Sequence, residues 1–275
     1  MLLPGGMWDG QQRRREFAFG PVTGEFELTL AETAVSDAPL PRRVTLVLSG
    51  SLAHVGQVRA APEMVERLAI ADRQFLMRQL ARVLGCDTLW LAPTCDACGR
   101  PFDVEIEQSR LPAKEAAASF PFATTETSWG RCRLRVPSGA DQEAATAIPD
   151  DRAAVRFLAR NCVLDAIPET IFELSDADVA VIERALENAA PEVATIAQSV
   201  CPECGHANSV YIDPYACLTG DAGTLWDDVH EIASCYHWSE RDILSLSRQR
   251  RHTYLRRIAR TRSSAAQLAA DRWEN

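Results

Sequence analysis

With 275 residues, the chain is long enough to bury a hydrophobic core without a metal to hold it together, and its length suits one large domain or two modest ones. The mix of 47% hydrophobic and 24% charged residues is that of a globular protein, and no run of about eighteen apolar residues offers a membrane span. A net charge of −9 argues against a surface devoted as a whole to nucleic acid, and Met1–Gly10 lacks the basic and apolar segments of a secretory signal, so the expected site of folding is the cytoplasm.

Residues 1–42 read as short strands followed by a linker. Leu2-Leu3-Pro4-Gly5-Gly6, Glu16-Phe17-Ala18-Phe19 and Glu25-Phe26-Glu27-Leu28-Thr29-Leu30 alternate apolar and polar positions, with a break at Gly20-Pro21 and a linker over Ser36-Asp37-Ala38-Pro39-Leu40-Pro41. A second region, 43–108, opens with helical spacing at Val44, Val47, Leu48, Leu52 and Val55. Residues 62–85 form the clearest helix, with Val65, Leu68, Phe75, Leu76, Leu80, Val83 and Leu84 on its buried side and Asp72, Arg73, Arg78, Gln79 and Arg82 on its polar side; Gly85 stands at the C′ position. Thr88–Leu91 and Phe102–Ile106 then read as a hairpin with a cysteine pair at its tip.

Residues 109–192 read as an inserted segment. It holds a strand pair, Phe122–Thr127 with Arg131–Val136, and two helices over 151–163 and 176–189, the second capped by Ser175 with Asp178 and buried through Val179, Ile182, Leu186 and Ala189. Region 193–219 repeats the strand, cysteine pair, strand pattern. Region 220–275 is helical, with a stripe of Leu225, Val229, Ile232 and Tyr236, then a helix capped by Ser239 and Asp242 that runs to about residue 260, and a frayed end from Ser263. The fold class expected is α+β: a zinc ribbon formed by two distant knuckles, with the insert between them and a helical C-terminal part.

Cys95-Asp96-Ala97-Cys98-Gly99 and Cys201-Pro202-Glu203-Cys204-Gly205 share the form C-x-x-C-G. Each places two thiolates on a tight turn, where glycine permits a positive φ and backbone N–H groups point at sulfur. Four thiolates close a tetrahedron around a structural Zn²⁺ and leave no open coordination position. The 102 residues between Cys98 and Cys201 far exceed the usual ribbon spacing, which the insert accounts for. The alternatives are two unrelated pairs, or redox chemistry, which wants a cysteine at a helix N-terminus rather than between strands. Cys86, Cys132, Cys162, Cys217 and Cys235 read as small buried hydrophobes, with Cys86, Cys217 and His206 near enough to the knuckles to be substitute ligands.

Catalytic patterns fail on spacing. His230-Glu231 lacks a second histidine four residues after the first, and there is no G-x-S-x-G elbow, Walker loop or G-x-G-x-x-G, so no catalytic residue, small-molecule substrate or membrane association is expected. The remaining signal is basic: between Glu240 and Arg262 stand eight arginines against two acids. Arg248, Arg250, Arg251, Arg256 and Arg257, with Trp238, are the candidate partner-binding residues. A solvated face, an acidic protein partner and nucleic acid are the three readings left open.

Leu3-Pro4-Gly5-Gly6, Gly20-Pro21-Val22-Thr23-Gly24-Glu25, Ile70-Ala71-Asp72-Arg73-Gln74-Phe75-Leu76, the two knuckles, Arg135–Glu143, Asp228–Ala233 and Tyr236–Glu240 occur in this order along most of the chain. Together they resemble the zinc-knuckle baseplate or baseplate-hub assembly proteins of contractile phage tails and phage-like contractile injection systems. The first knuckle departs from that family's usual form in lacking proline after its first cysteine. The resemblance implies a non-enzymatic assembly factor or structural subunit. It implies baseplate or tail proteins as partners, zinc on the four cysteines, a structural turn at Asp72-Arg73 and a contact surface on the helical tail, in the cytoplasm or incorporated into a phage-like particle. A zinc-ribbon nucleic-acid-binding protein that uses the arginine-rich helix is the alternative.

Overall fold

In the computed structural model, residues 1–8, 10, 12–219 and 222–273 are described, the last nine as backbone. The chain is α+β, combining helices with small antiparallel sheets. Its elements run β1 (Leu2–Trp8), β2 (Arg13–Phe19), α1 (Gly24–Ala34), α2 (Leu40–Ser51), β3 (Leu52–Val55), β4 (Val58–Arg59), α3 (Pro62–Glu66), α4 (Ile70–Val83), β5 (Thr88–Leu91) and β6 (Val104–Glu107). There follow β7 (Ala113–Lys114), β8 (Phe122–Thr127), β9 (Gly130–Arg135), α5 (Gly139–Ala145), α6 (Asp151–Cys162), α7 (Asp176–Ala189), β10 (Glu192–Val193), β11 (Ile196–Val200), β12 (Ala207–Tyr211), α8 (Gly223–Tyr236), α9 (Glu240–Leu244) and α10 (Arg248–Trp273).

Two compact units result: Met1–Phe19 with Asp37–Cys217, and Gly20–Ser36 with Leu218–Asn275. In the first, a sheet of order β1-β2-β3-β4 packs on α4, and Leu3, Leu48, Leu76, Met77 and Leu80 are fully buried. The segment between Lys114 and Glu192 leaves and returns side by side, because β7 pairs with β10. Inside it, α7 lies on the β8–β9 hairpin over a core of Leu134, Ala159, Cys162, Leu174, Val179, Ile182 and Leu186. Ser175 Oγ accepts the Asp178 amide and caps α7, as the spacing predicts.

In the second unit α1, α8, α9 and α10 surround Leu225, Val229, Ile232, Ile243, Leu244 and Ile258. Residues 25–30 are helical, not a strand. Thr23 caps them by accepting the Phe26 amide at 3.3 Å, Glu25 and Glu27 sit in the first turn, and Leu30, Ala31 and Ala34 face inward. Local period-two alternation yields here to a cap and an apolar helical stripe.

Four other expectations change. Leu52 and Val55 belong to β3, which pairs with β2 and draws the chain out of α2 after Ser51. The 62–85 helix breaks at 67–69, where Ala69 bridges Ser138 and the Gly139 amide donates to the Leu68 carbonyl. The helix from Ser239 breaks at 245–247, where Ser247 bridges Thr23 and the Gly24 amide reaches the Leu246 carbonyl. The C-terminal end does not fray at Ser263, since α10 continues to Trp273. Gly85 does take the left-handed C′ conformation expected of it, with φ +76°.

Asp72, Arg73 and Arg78 are buried, not on a solvent face. Asp72 accepts the Gly5 and Gly6 amides at 2.8 Å each. The Arg73 guanidinium donates to the Pro41 carbonyl and to Thr45 Oγ1, and that of Arg78 donates to the Gln108 and Leu111 carbonyls. Burial raises the Asp72 carboxyl to about 7, against the pull of the two amides and of Arg13 and Arg15, and burial lowers both arginines. No helix among the described residues is long and apolar enough to cross a membrane.

Candidate metal centre

Each cysteine pair sits at the tip of its own hairpin, and the two tips have the same backbone plan. The Cys95 amide donates to the Arg100 carbonyl and the Gly99 amide to the Cys95 carbonyl; the Cys201 amide donates to the His206 carbonyl and the Gly205 amide to the Cys201 carbonyl, all at 2.9 Å. Gly99 and Gly205 have φ of +68° and +73°, the left-handed conformation in which a residue with a Cβ is strained. Strand register repeats as well. Leu91 opposes Val104 as Ala197 opposes Val210, at equal distances from the first cysteine of each pair. The chain has built one device twice.

The hairpins bring the four sulfurs together. Cys95 Sγ lies 3.6 Å from Cys204 Sγ, Cys98 Sγ lies 3.8 Å from Cys201 Sγ, and all four fall within 4.8 Å of one another. A tetrahedral site with metal–sulfur bonds of about 2.3 Å separates its sulfurs by about 3.8 Å, so this donor set fits a single metal ion. The first cysteine of each pair is buried and the second exposed. Val104, Ile106, Val210 and Ile212 alternate inward beneath the buried pair, with Phe102, and form one small core with them. Sulfur cluster and apolar core are thus continuous.

Electrostatics favour a cation. The Cys98 backbone amide and neighbouring donors bring the Cys95 thiol down to about 6, from an ordinary value of 9.0. At Cys204 the His206 amide also lowers, but the other three sulfurs, with some local desolvation, outweigh it and push that thiol up to about 12. The first thiolate forms easily and the last is opposed by its neighbours, which is the pattern a shared cation relieves.

Two contacts lock the tips together, and neither was singled out by sequence reasoning. Asn208, buried, accepts the Asp96 amide on its Oδ1 and donates from Nδ2 to the His206 carbonyl, both at 2.9 Å. Arg100 pairs with Glu203 across the two knuckles at 2.5 Å. The signal for Asn208 lies in the repeat itself: it stands seven residues after Cys201 as Phe102 stands seven after Cys95, a polar residue at a core position.

The alternative ligands do not join the cluster. Cys86 and His206 are exposed, and Cys217 is buried with its Sγ on the Met77 carbonyl and its thiol raised to about 12 by burial. Of the lone cysteines, Cys132, Cys162 and Cys217 are buried as expected, whereas Cys86 and Cys235 are exposed.

The candidate partner residues divide. Arg250, Arg256 and Arg257 are exposed and Arg248 half-buried on α10. Arg251 is fully buried and cannot serve as a surface contact: it pairs with Glu27 at 2.7 Å and with Asp228 at 3.6 Å, binding α1, α8 and α10 together. Trp238 is half-buried, stacked on Tyr236 with centroids 5.3 Å apart and edge-on to Tyr254 at 4.9 Å, so much of its ring is spent on internal packing. No family model, curated protein or solved structure matches this chain.

Proposed function

We propose that Cys95, Cys98, Cys201 and Cys204 bind one structural zinc in a ribbon made of the two hairpins. On this reading the protein is a non-enzymatic assembly factor or structural subunit of the baseplate of a phage tail or contractile injection system. The observation that carries the zinc is the cluster of four sulfurs, all within 4.8 Å of one another. Thiolate donors suit zinc, and four of them leave no position for a substrate or activated water, so the ion would hold shape.

The assembly role rests on the sequence resemblance, and the places its segments occupy support a structural reading of them. Gly5 and Gly6 close on Asp72, and Gly139 fits against Arg73 so tightly that a Cβ there would lie 1.5 Å from Nη1. In the second unit Arg251 ties Glu27 to Asp228. These residues interlock the fold rather than line a reaction site. The docking element is the exposed arginine face of α10, and its partner is an acidic surface of a baseplate or tail protein.

Metal analysis of the wild type and of a Cys95→Ser, Cys201→Ser variant tests the zinc: about one equivalent is expected in the first and none in the second, and equal contents would remove the reading. Affinity capture from cells that produce a contractile tail tests the role, with baseplate or tail proteins expected in the eluate and their absence counting against it. If instead duplex DNA is retained with an affinity that falls steeply with salt and on replacing Arg250, Arg256 and Arg257 by Ala, the arginine face is a nucleic-acid surface.

A further inference from the structure

β8 pairs with β9 alone among the described strands, which leaves its other edge open. The Val136 amide donates to the Pro121 carbonyl, so the alternation of an antiparallel ladder directs Ala123, Thr125 and Thr127 toward β9 and Phe122, Thr124 and Glu126 away from it. The Phe122 amide, pointing outward to the Ser119 carbonyl, agrees with that parity. Thr124 and Glu126 therefore present backbone donors and acceptors to the open edge.

A hollow of 510 Å³ lies beside this edge on the α7 face, between Thr124 of β8 and the helix flank of Val181, Arg184, Ala185 and Asn188. Those helix positions span about 10 Å, the length of about three extended residues. A second hollow of 410 Å³ lies on the other face of the hairpin, lined by Phe122, Thr124, Arg133 and Leu164. A strand added to the edge of β8 sends alternate side chains to opposite faces, one set toward each hollow.

The two hollows differ in character. Arg184 is the one charged residue lining the first, it is exposed, and it has no ion-pair partner among the described residues. In the second, Arg133 is paired with Asp165 through two N–H groups on one carboxylate oxygen, and Phe122 and Leu164 expose apolar surface. We propose that the open edge of β8 with the flank of α7 is a docking groove for an extended peptide strand, in which an acidic side chain meets Arg184 and the residues on either side of it are apolar. The groove lies in the inserted segment and owes nothing to the zinc or to α10.

An array of random heptapeptides, with an acidic, basic or neutral residue fixed in turn at each position, tests the groove on the full chain. Retained peptides should combine an acid with apolar neighbours. Arg184→Glu, at an exposed site, should weaken them at least about fivefold and enrich peptides with a basic residue instead, by reversal of the local charge. Thr124→Pro should abolish retention while circular dichroism stays unchanged, because that amide takes no part in pairing with β9. No retention, no preference for acids, or binding indifferent to Arg184→Glu would overturn the proposal. A concentration-dependent dimer lost in Thr124→Pro would overturn it in favour of edge pairing between two copies.

Discussion

Asp72 and Arg73 are neighbours on one helix, yet each is buried against a different part of the chain, and both are charged types that water holds strongly. Asp72 faces the Gly5 and Gly6 amides, and a Cβ on Gly5 would lie 2.4 Å from its carboxylate, so glycine is what lets the backbone come so close. Burial raises its carboxyl from 3.8 to about 7. A carboxyl whose folded value is raised contributes stability that is fully present below about pH 4 and is lost as the pH climbs through 7. Asp72→Asn, which cannot titrate, should therefore gain on the wild type between pH 4 and 7, by up to about 1.4 kcal/mol per pH unit. Urea unfolding of both proteins across that range measures the difference. A flat difference, or one of opposite sign, would mean that the two amides keep the carboxylate ionised. Helical spacing places both residues on a polar face because it counts side-chain type and not distant partners, and nothing near Asp72 in sequence announces the glycines 66 and 67 positions away.

At the level of elements, the two hairpins were legible because their information is local: C-x-x-C-G fixes a turn, and alternating residues on each side fix the strands. Even the shared register follows from equal spacing about the cysteines. The same cause sets an expectation for the turn glycines. A Cβ at Gly99 or Gly205 meets nothing within 4 Å, so replacement by alanine is opposed by the left-handed backbone alone. Gly99→Ala and Gly205→Ala should each cost about 1 kcal/mol, and by the same amount, in denaturant unfolding of the metal-loaded protein. A large inequality would show that the tips are not equivalent. The helix breaks at 67–69 and 245–247 were not legible, and they share one physical origin. In each, the N-cap residue of another helix, Ser138 or Thr23, pairs with the break through backbone bonds. Periodicity continues across both gaps because the intervening residues, Leu68 and Ala69 in one and Leu246 in the other, still face inward enough to keep an apolar pattern.

Across the whole molecule the apolar interior is divided. The sulfur cluster shares a core with the two hairpins, the insert has its own around Leu134 and Ile182, and the second unit has another around Ile232 and Ile243. A metal at the cysteines would close a chain loop of about 100 residues, a constraint on the unfolded chain worth on the order of 5 kcal/mol. Its removal also leaves four thiols side by side, with the apolar floor of Val104, Ile106, Val210 and Ile212, the Asp96–Asn208 hydrogen bond and the exposed Arg100–Glu203 pair to hold the hairpins together. That floor is small, whereas the cores of the insert and of the second unit contain no sulfur of the cluster. Chelation should therefore act locally. In hydrogen exchange, amides in 88–107 and 196–212 should lose protection by at least about tenfold, while those in α8 and in α10 up to Arg262 keep theirs, and adding zinc should restore the first set. Uniform loss, in the second unit as well as in the hairpins, would mean that the cysteines support the molecule as one cooperative unit. The local outcome is the one expected of a clamp that sets the geometry of a long insert while leaving the arginine-bearing unit to fold by its own packing.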